Sequence, residues 1–259
     1  MGSNPIGPTS VPVMNLRDKV ALITGGTRMG AAVAQALADK SCSIVLTWRH
    51  SRQAVESIAR QLENQGHLAS SFPCDLLKPG LIRQVIRKIE KRFGRLDVIV
   101  NLASIYRPTR LSKDDPSRSW DENLSANAKS AYLLSIEAAG LMRRSGGGRI
   151  IHVSDWTSAS GRPRYRDYSP YYISKSAVQA VVETLALEFA PDILVNGIAP
   201  GPMVPPPSLG RKEVQSVMKS TPLRRWGGAG EIAKAVMFLA ETDFVTGEIL
   251  RVDGGRHLY

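Results

Sequence analysis

At 259 residues, with 43% hydrophobic and 22% charged residues, the chain has the composition of a globular protein able to bury one full-sized core, which excludes a fibrous repeat or wholesale disorder. No apolar run reaches the roughly 18 residues needed to cross a bilayer, Met1–Asn15 lacks the basic start and apolar stretch of an export signal, and Cys42 and Cys74 offer no metal-ligand spacing. A cytoplasmic protein without disulfide, metal or membrane contact is therefore expected. The formal charge of +11 permits a dinucleotide, a polyanionic substrate, an acidic carrier protein or nucleic acid as partner without choosing among them.

Residues 1–15, rich in Pro, Gly and Ser and free of charge, are expected to form a flexible tail, and residues 16–259 a single domain. From Lys19 onward, short β-branched runs alternate with segments of helical period. Seven strands are predicted, at Val20–Thr24, Ser43–Trp48, Ala69–Pro73, Leu96–Asn101, Arg149–Ser154, Ile193–Ile198 and Glu248–Val252. Helices are predicted at Gly30–Lys40, Gln53–Gln65, Leu81–Phe93, Ser119–Arg144, Tyr171–Phe189 and Gly230–Glu241. This alternation specifies an α/β fold: one Rossmann-like, doubly wound domain with a seven-stranded parallel sheet. Arg83, Arg87, Lys88, Lys91, Arg92 and Arg95 fall on one side of the third helix and read as its solvated face. The proline-interrupted stretch Pro202–Thr221 reads as a loop over the substrate.

The turn Thr24-Gly25-Gly26-Thr27-Arg28-Met29-Gly30 follows the first strand and opens a helix, where backbone N–H groups and the helix dipole receive a pyrophosphate. Such turns also arise for steric reasons alone, so its weight comes from its position. An NAD site places an acidic residue at the end of the second strand, against the ribose hydroxyls. Here that strand ends in Trp48-Arg49-His50-Ser51-Arg52, and Arg28, Arg49 and Arg52, with His50 beside them, suit the 2′-phosphate of NADPH. Surface arginines of a basic protein would have the same appearance. Asp75 is placed to accept from the adenine amino group, and the backbone of Asn101-Leu102-Ala103-Ser104 to pass beneath the adenosine ribose.

Tyr171 and Lys175 lie four residues apart at a helix start, so both side chains emerge on one face. A phenol is a poor acid at neutral pH; an adjacent ammonium is expected to lower its pKa so that it protonates a carbonyl oxygen or imine nitrogen. Hydride would then come from reduced nicotinamide.

Taken in order, Gly25 to Gly30, Asp75, Asn101 to Ser104, Asn127, Ser154-Asp155, Tyr171 with Lys175, Pro200-Gly201 and Val252-Asp253-Gly254-Gly255 make the chain resemble the short-chain dehydrogenase/reductase family over nearly all of Leu16–Leu258. The resemblance implies that Lys175 also binds the nicotinamide ribose, that Asn127 holds a water linking Lys175 to solvent, and that Pro200, Gly201 and Val204 contact the carboxamide. It implies a homotetramer paired through the fourth and fifth helices and the last strand. Where the family usually has Ser on the fifth strand, the alignment places Asp155; alternation along a strand prevents Ser154 and Asp155 from both facing the nicotinamide, and Asp155 is taken as the facing residue. In this respect the chain is similar to the pteridine reductases.

Departures from the pattern are a Gly-rich turn one residue short, Leu102 in place of a commoner Asn, and a basic insertion with Arg162, Arg164 and Arg166 between Asp155 and Tyr171. That insertion is expected beside the active-site mouth. Four functions follow: NADPH-dependent reduction of a pterin-like substrate; reduction of a β-ketoacyl group carried on acidic acyl-carrier protein, with Arg143 and Arg144 at a helix end; a non-catalytic NADP-binding subunit; and nucleic-acid binding, for which no motif is present.

Overall fold

The first and fourth strands are buried at every residue, as required when a sheet is covered on both faces. The computed structural model describes residues 14–25, 27, 29–207 and 209–258. Along the chain run β1 (Val20–Thr24), α1 (Gly30–Ala38), β2 (Ser43–Trp48), α2 (Arg52–Asn64), β3 (Ala69–Pro73), α3 (Pro79–Phe93), β4 (Val98–Asn101) and α4 (Pro116–Asn123). A π-helical segment (Leu124–Lys129) leads into α5 (Ser130–Arg144), β5 (Gly148–Val153), α6 (Trp156–Ala159), α7 (Ser169–Phe189), β6 (Ile193–Pro200), α8 (Arg211–Lys219), α9 (Ala229–Glu241) and β7 (Ile249–Val252).

The seven strands form one all-parallel sheet in the order β3-β2-β1-β4-β5-β6-β7. Successive side chains point to opposite faces, so Ile23 joins the apolar layer under α1, α2 and α9 while Leu22 joins the layer under α3, α5 and α7. Full burial of each such side chain is worth about 1.5–3 kcal/mol. The chain steps outward from β1 to β3 and then returns to the other side of β1 as β4. That reversal opens a crevice at the carboxyl ends of β1 and β4, where doubly wound sheets bind ligands.

The expected long helix Ser119–Arg144 is not continuous: it begins three residues earlier, where Asp115 caps the amides of Ser117 and Arg118, and is interrupted by the π segment that carries Asn127. The expected loop Pro202–Thr221 contains α8, begun where the Glu213 carboxylate accepts from the Gly210 amide. The charged face of α3 is partly ion-paired, Arg83 with Glu137 at 2.7 Å and Glu90 with Arg144 at 2.7 Å. Of the expected tail, residues 1–13 lie outside the described residues; the Met14 amide donates to Asp243 at 3.0 Å. Among the described residues no helix is long and apolar enough to cross a membrane.

Candidate active site

The crevice holds two adjoining cavities, of about 530 and 430 Å³, that share Met29, Leu102 and Ser104. Gly25, Thr27, Met29, Arg49, His50, Asp75 and Ala103 line the first; Asp155, Tyr171, Lys175, Pro200, Gly201 and Val204 line the second. Gly30 opens α1 behind the turn, and Asn101 and Asn127 are buried beneath the floor. Arg28, like Gly26, lies outside the described residues.

Gly25 has φ +62°, and a Cβ there would stand 2.6 Å from the Cα of Ala103. Both the left-handed backbone and the close crossing of the β1–α1 turn over the end of β4 require glycine. The result is a wall of bare backbone. The first turn of α1 carries no acidic residue, and its cap, Met29, supplies no side-chain acceptor, so its N–H groups and dipole are available to an anion. Trp48 lines the same cavity, and its buried indole N–H has no partner among the described residues. Arg49 Nε lies 3.5 Å from Asp75, whose other oxygen accepts from the Leu77 amide at 3.1 Å. The residues thus fit a phosphate-bearing dinucleotide, although Arg49 and Asp75 pair with each other where a 2′-phosphate and an adenine amino group were expected.

Asp155 lies two residues past the end of β5 and caps α6. One oxygen accepts from the Thr157 amide (2.8 Å) and hydroxyl (2.6 Å); the other accepts from the Tyr171 hydroxyl at 2.9 Å. Ser154 turns the other way, donating to the Lys175 carbonyl at 3.0 Å. Burial, reinforced by the charge and hydrogen bond of Asp155, pushes the Tyr171 phenol well above its ordinary pKa. The expected lowering by Lys175 is not realised, because Lys175 Nζ donates to the Val153 carbonyl at 2.7 Å and lies 5.9 Å from the Tyr171 ring centre. Burial draws Lys175 down to about 8, with Asp155 opposing the shift.

Asn127 points its amide into a packed joint: its Oδ1 accepts from the Ser104 hydroxyl (3.0 Å) and Ile105 amide (2.9 Å), and its Nδ2 donates to Ser174 at 2.9 Å. It ties the end of β4 to α7 between Tyr171 and Lys175. Under the crevice runs a polar ladder that the sequence reading overlooked. Ser135 donates to the Ala131 carbonyl, so His152 must donate to Ser135 through Nε2 (2.9 Å) and accept from Asn101 at Nδ1 (3.3 Å), while Asn101 accepts from Thr24 (2.5 Å). Burial, then the charge of Lys175, drives His152 down to about 3.

Aromatic side chains line the second cavity. Tyr106 stacks on Tyr168 at 4.7 Å and meets Tyr171 edge-on at 4.8 Å; Trp156 meets Tyr165 at 6.3 Å. Tyr165 and Tyr168 belong to the basic insertion, which therefore does border the cavity. Their only signal in the sequence was membership of that insertion.

A doubly wound sheet with a Tyr–Lys helix at this crevice defines a Rossmann-like oxidoreductase. Residues 26–257 match the family profile described as enoyl-(acyl carrier protein) reductase, and the chain belongs to the short-chain dehydrogenase/reductase family. The 2-dehydro-3-deoxy-D-gluconate 5-dehydrogenase of Bacillus subtilis is 33% identical, with 93% of this chain and 95% of that protein covered. The 3-oxoacyl-[acyl-carrier-protein] reductase FabG of Thermotoga maritima is 29% identical over 93% of this chain and 99% of its own. Among solved structures, FolM alternative dihydrofolate reductase 1 of Brucella canis, complexed with NADP, superposes with a TM-score of 0.84 at 27% identity, covering 95% of this chain and 97% of that one.

Proposed function

We propose that this oxidoreductase is an NADPH-dependent reductase of a C=N or C=O group in a pterin-like ring. The observation that carries the reading is the 2.9 Å hydrogen bond from Tyr171 to Asp155, and the likeness to FolM supports it. Gly25, Thr27, Met29, the first turn of α1, Arg49 and His50 would hold the phosphates and adenosine, with Arg28 joining them; Lys175, Pro200, Gly201 and Val204 would border the nicotinamide. The bound reduced nicotinamide supplies the hydride.

The phenol stays protonated in the resting site because its carboxylate partner and its burial both disfavour phenolate. A substrate heteroatom that displaces the carboxylate from the hydroxyl takes that proton, and the Lys175 ammonium stabilises the charge left behind. Asp155, anchored through Thr157, keeps the hydroxyl aimed and is placed to exchange a proton with a ring nitrogen. Asn127 is a positioning residue here, fixing the helix turn from which Tyr171 and Lys175 project.

A second reading, reduction of a β-ketoacyl carrier-protein thioester, is supported by Arg162 and Arg166, exposed near the cavity, and by the likeness to FabG. Arg143 and Arg144, also expected to serve it, are engaged with Asp192 and Glu90. NADPH oxidation followed by absorbance with dihydrobiopterin and with acetoacetyl thioester separates the two. The pterin should turn over, and Tyr171→Phe should lower the rate by roughly 10²–10⁴-fold. Turnover of the thioester alone would select the second reading, and a chain that binds NADPH but turns over neither would be the non-catalytic NADP-binding subunit. The exposed apolar residues Tyr132 and Ile136 of α5 and Ile173 and Leu187 of α7 support assembly as a homotetramer.

A further inference from the structure

Arg256 lines the second cavity together with Trp156 and Tyr165. Asp253 places it there: its carboxylate accepts from the amides of Gly255 (3.0 Å) and His257 (2.9 Å), while Gly254 and Gly255, at φ +65° and +82°, turn the chain back toward α8. Arg256 Nη1 donates to the Val217 carbonyl (3.0 Å) and the hydroxyls of Ser220 (2.8 Å) and Thr221 (3.2 Å). Its guanidinium lies 5.3 Å from the Trp156 ring centre and beside the Tyr165 hydroxyl. Arg164 lies 5.9 Å from the same ring. Among the described residues neither guanidinium has a carboxylate within ion-pair distance, and Asp253, the acidic side chain nearest Arg256 in sequence, is buried and occupied by its own turn and by His257.

A guanidinium set against an indole gains a modest cation–π attraction but keeps its demand for an anion. Arg149, itself buried, meets that demand with Asp243 at 2.6 Å. We propose that the substrate itself carries an oxyanion, a carboxylate or a phosphate, which Arg256 receives through the nitrogens that Val217, Ser220 and Thr221 leave unused. Trp156 and Tyr165 flank its flat body, and the reacting group lies at Tyr171. The placement of the reacting group rests on the reductase reading above; the anion site does not. A net charge of +11 draws such a substrate toward the cavity.

Tryptophan fluorescence of the full chain, titrated with benzoate, phenyl phosphate and uncharged benzamide, tests the site without turnover. At least one of the two anions should quench saturably and bind roughly tenfold or more tightly than benzamide, and the better of them identifies the oxyanion. Arg256→Gln should remove most of that advantage, and Arg256→Lys should keep part of it. Benzamide binding as tightly as both anions, or an advantage that survives Arg256→Gln and disappears in Arg164→Gln, would overturn the proposal. If Arg256→Gln loosens α8 and fails to fold, the wild-type comparison of anion with amide and the Arg256→Lys and Arg164→Gln titrations decide. Absence of NADPH oxidation with every substrate tried would count against the reductase reading and leave these titrations standing.

Discussion

The hydroxyl of Tyr171 and the carboxylate of Asp155 are joined at 2.9 Å, and the free oxygen of that carboxylate is spent on capping α6 through Thr157. One residue therefore sets both the direction of the phenol and the start of the wall that carries Trp156. Its charge raises the pKa of Tyr171 and, in the same field, opposes the lowering of Lys175.

Asp155→Asn removes that charge. The Lys175 pKa, about 8 in the native site, should fall further, and the Tyr171 pKa should fall toward its ordinary value. In kcat/KM for NADPH, which reports the free enzyme, the decline that begins near pH 8 as Lys175 loses its proton should move to lower pH. Turnover should drop roughly 10–100-fold, the worth of a hydrogen bond to a charged group. An unmoved alkaline limb would show that Asp155 does not govern the pair.

His152 is neutral in the fold, with its pKa drawn from 6.5 to about 3. Above pH 6.5 native and unfolded chains are both neutral at this site and it adds no pH dependence. Between pH 6.5 and 3 the unfolded chain takes a proton that the native one refuses, so native stability is lost as pH falls, by up to about 1.4 kcal/mol per pH unit. Urea denaturation should show this extra slope in the wild type and its absence in His152→Gln; parallel slopes would contradict it.

Gly25→Ala places a methyl against the Ala103 backbone and forces a non-glycine residue to φ +62°. A cost of about 1–3 kcal/mol is expected, seen as a melting temperature several degrees lower. NADPH affinity should fall as well, because the turn must move away from β4. A variant that keeps both values would mean that the crossing is looser than described.

Arg49 is held by Asp75 at 3.5 Å, with its side chain about half exposed. Arg49→Gln should reduce the preference for NADPH over NADH by roughly tenfold, the loss of one charge-assisted contact to the 2′-phosphate. Asp75→Asn should tighten NADPH by releasing the guanidinium. Steady-state kinetics with both cofactors measure the ratio, and an unchanged ratio in Arg49→Gln would assign 2′-phosphate recognition elsewhere.

Much of this was legible in the chain. The alternation of short extended runs with segments of helical period marked every strand to within two residues, because that period is a local property of the sequence. The four-residue spacing of Tyr171 and Lys175 put both on one helix face for the same reason. Elements set by side-chain bonds across the fold were not legible: the π segment around Asn127 depends on Ser104, Ile105 and Ser174, and α6 is only four residues long.

What the sequence alone determined is the doubly wound sheet, the position of the crevice and the residue types at its rim, all of which follow from hydrophobic period and chain order. What only the tertiary structure decided is where each charge goes. The sign of the Tyr171 shift, the capture of Arg49 by Asp75, the neutrality of His152 and the approach of Arg256 to Trp156 all depend on burial and on distances between segments far apart in the chain. Electrostatic energy varies with separation and local polarizability, and neither quantity is written in the order of residues.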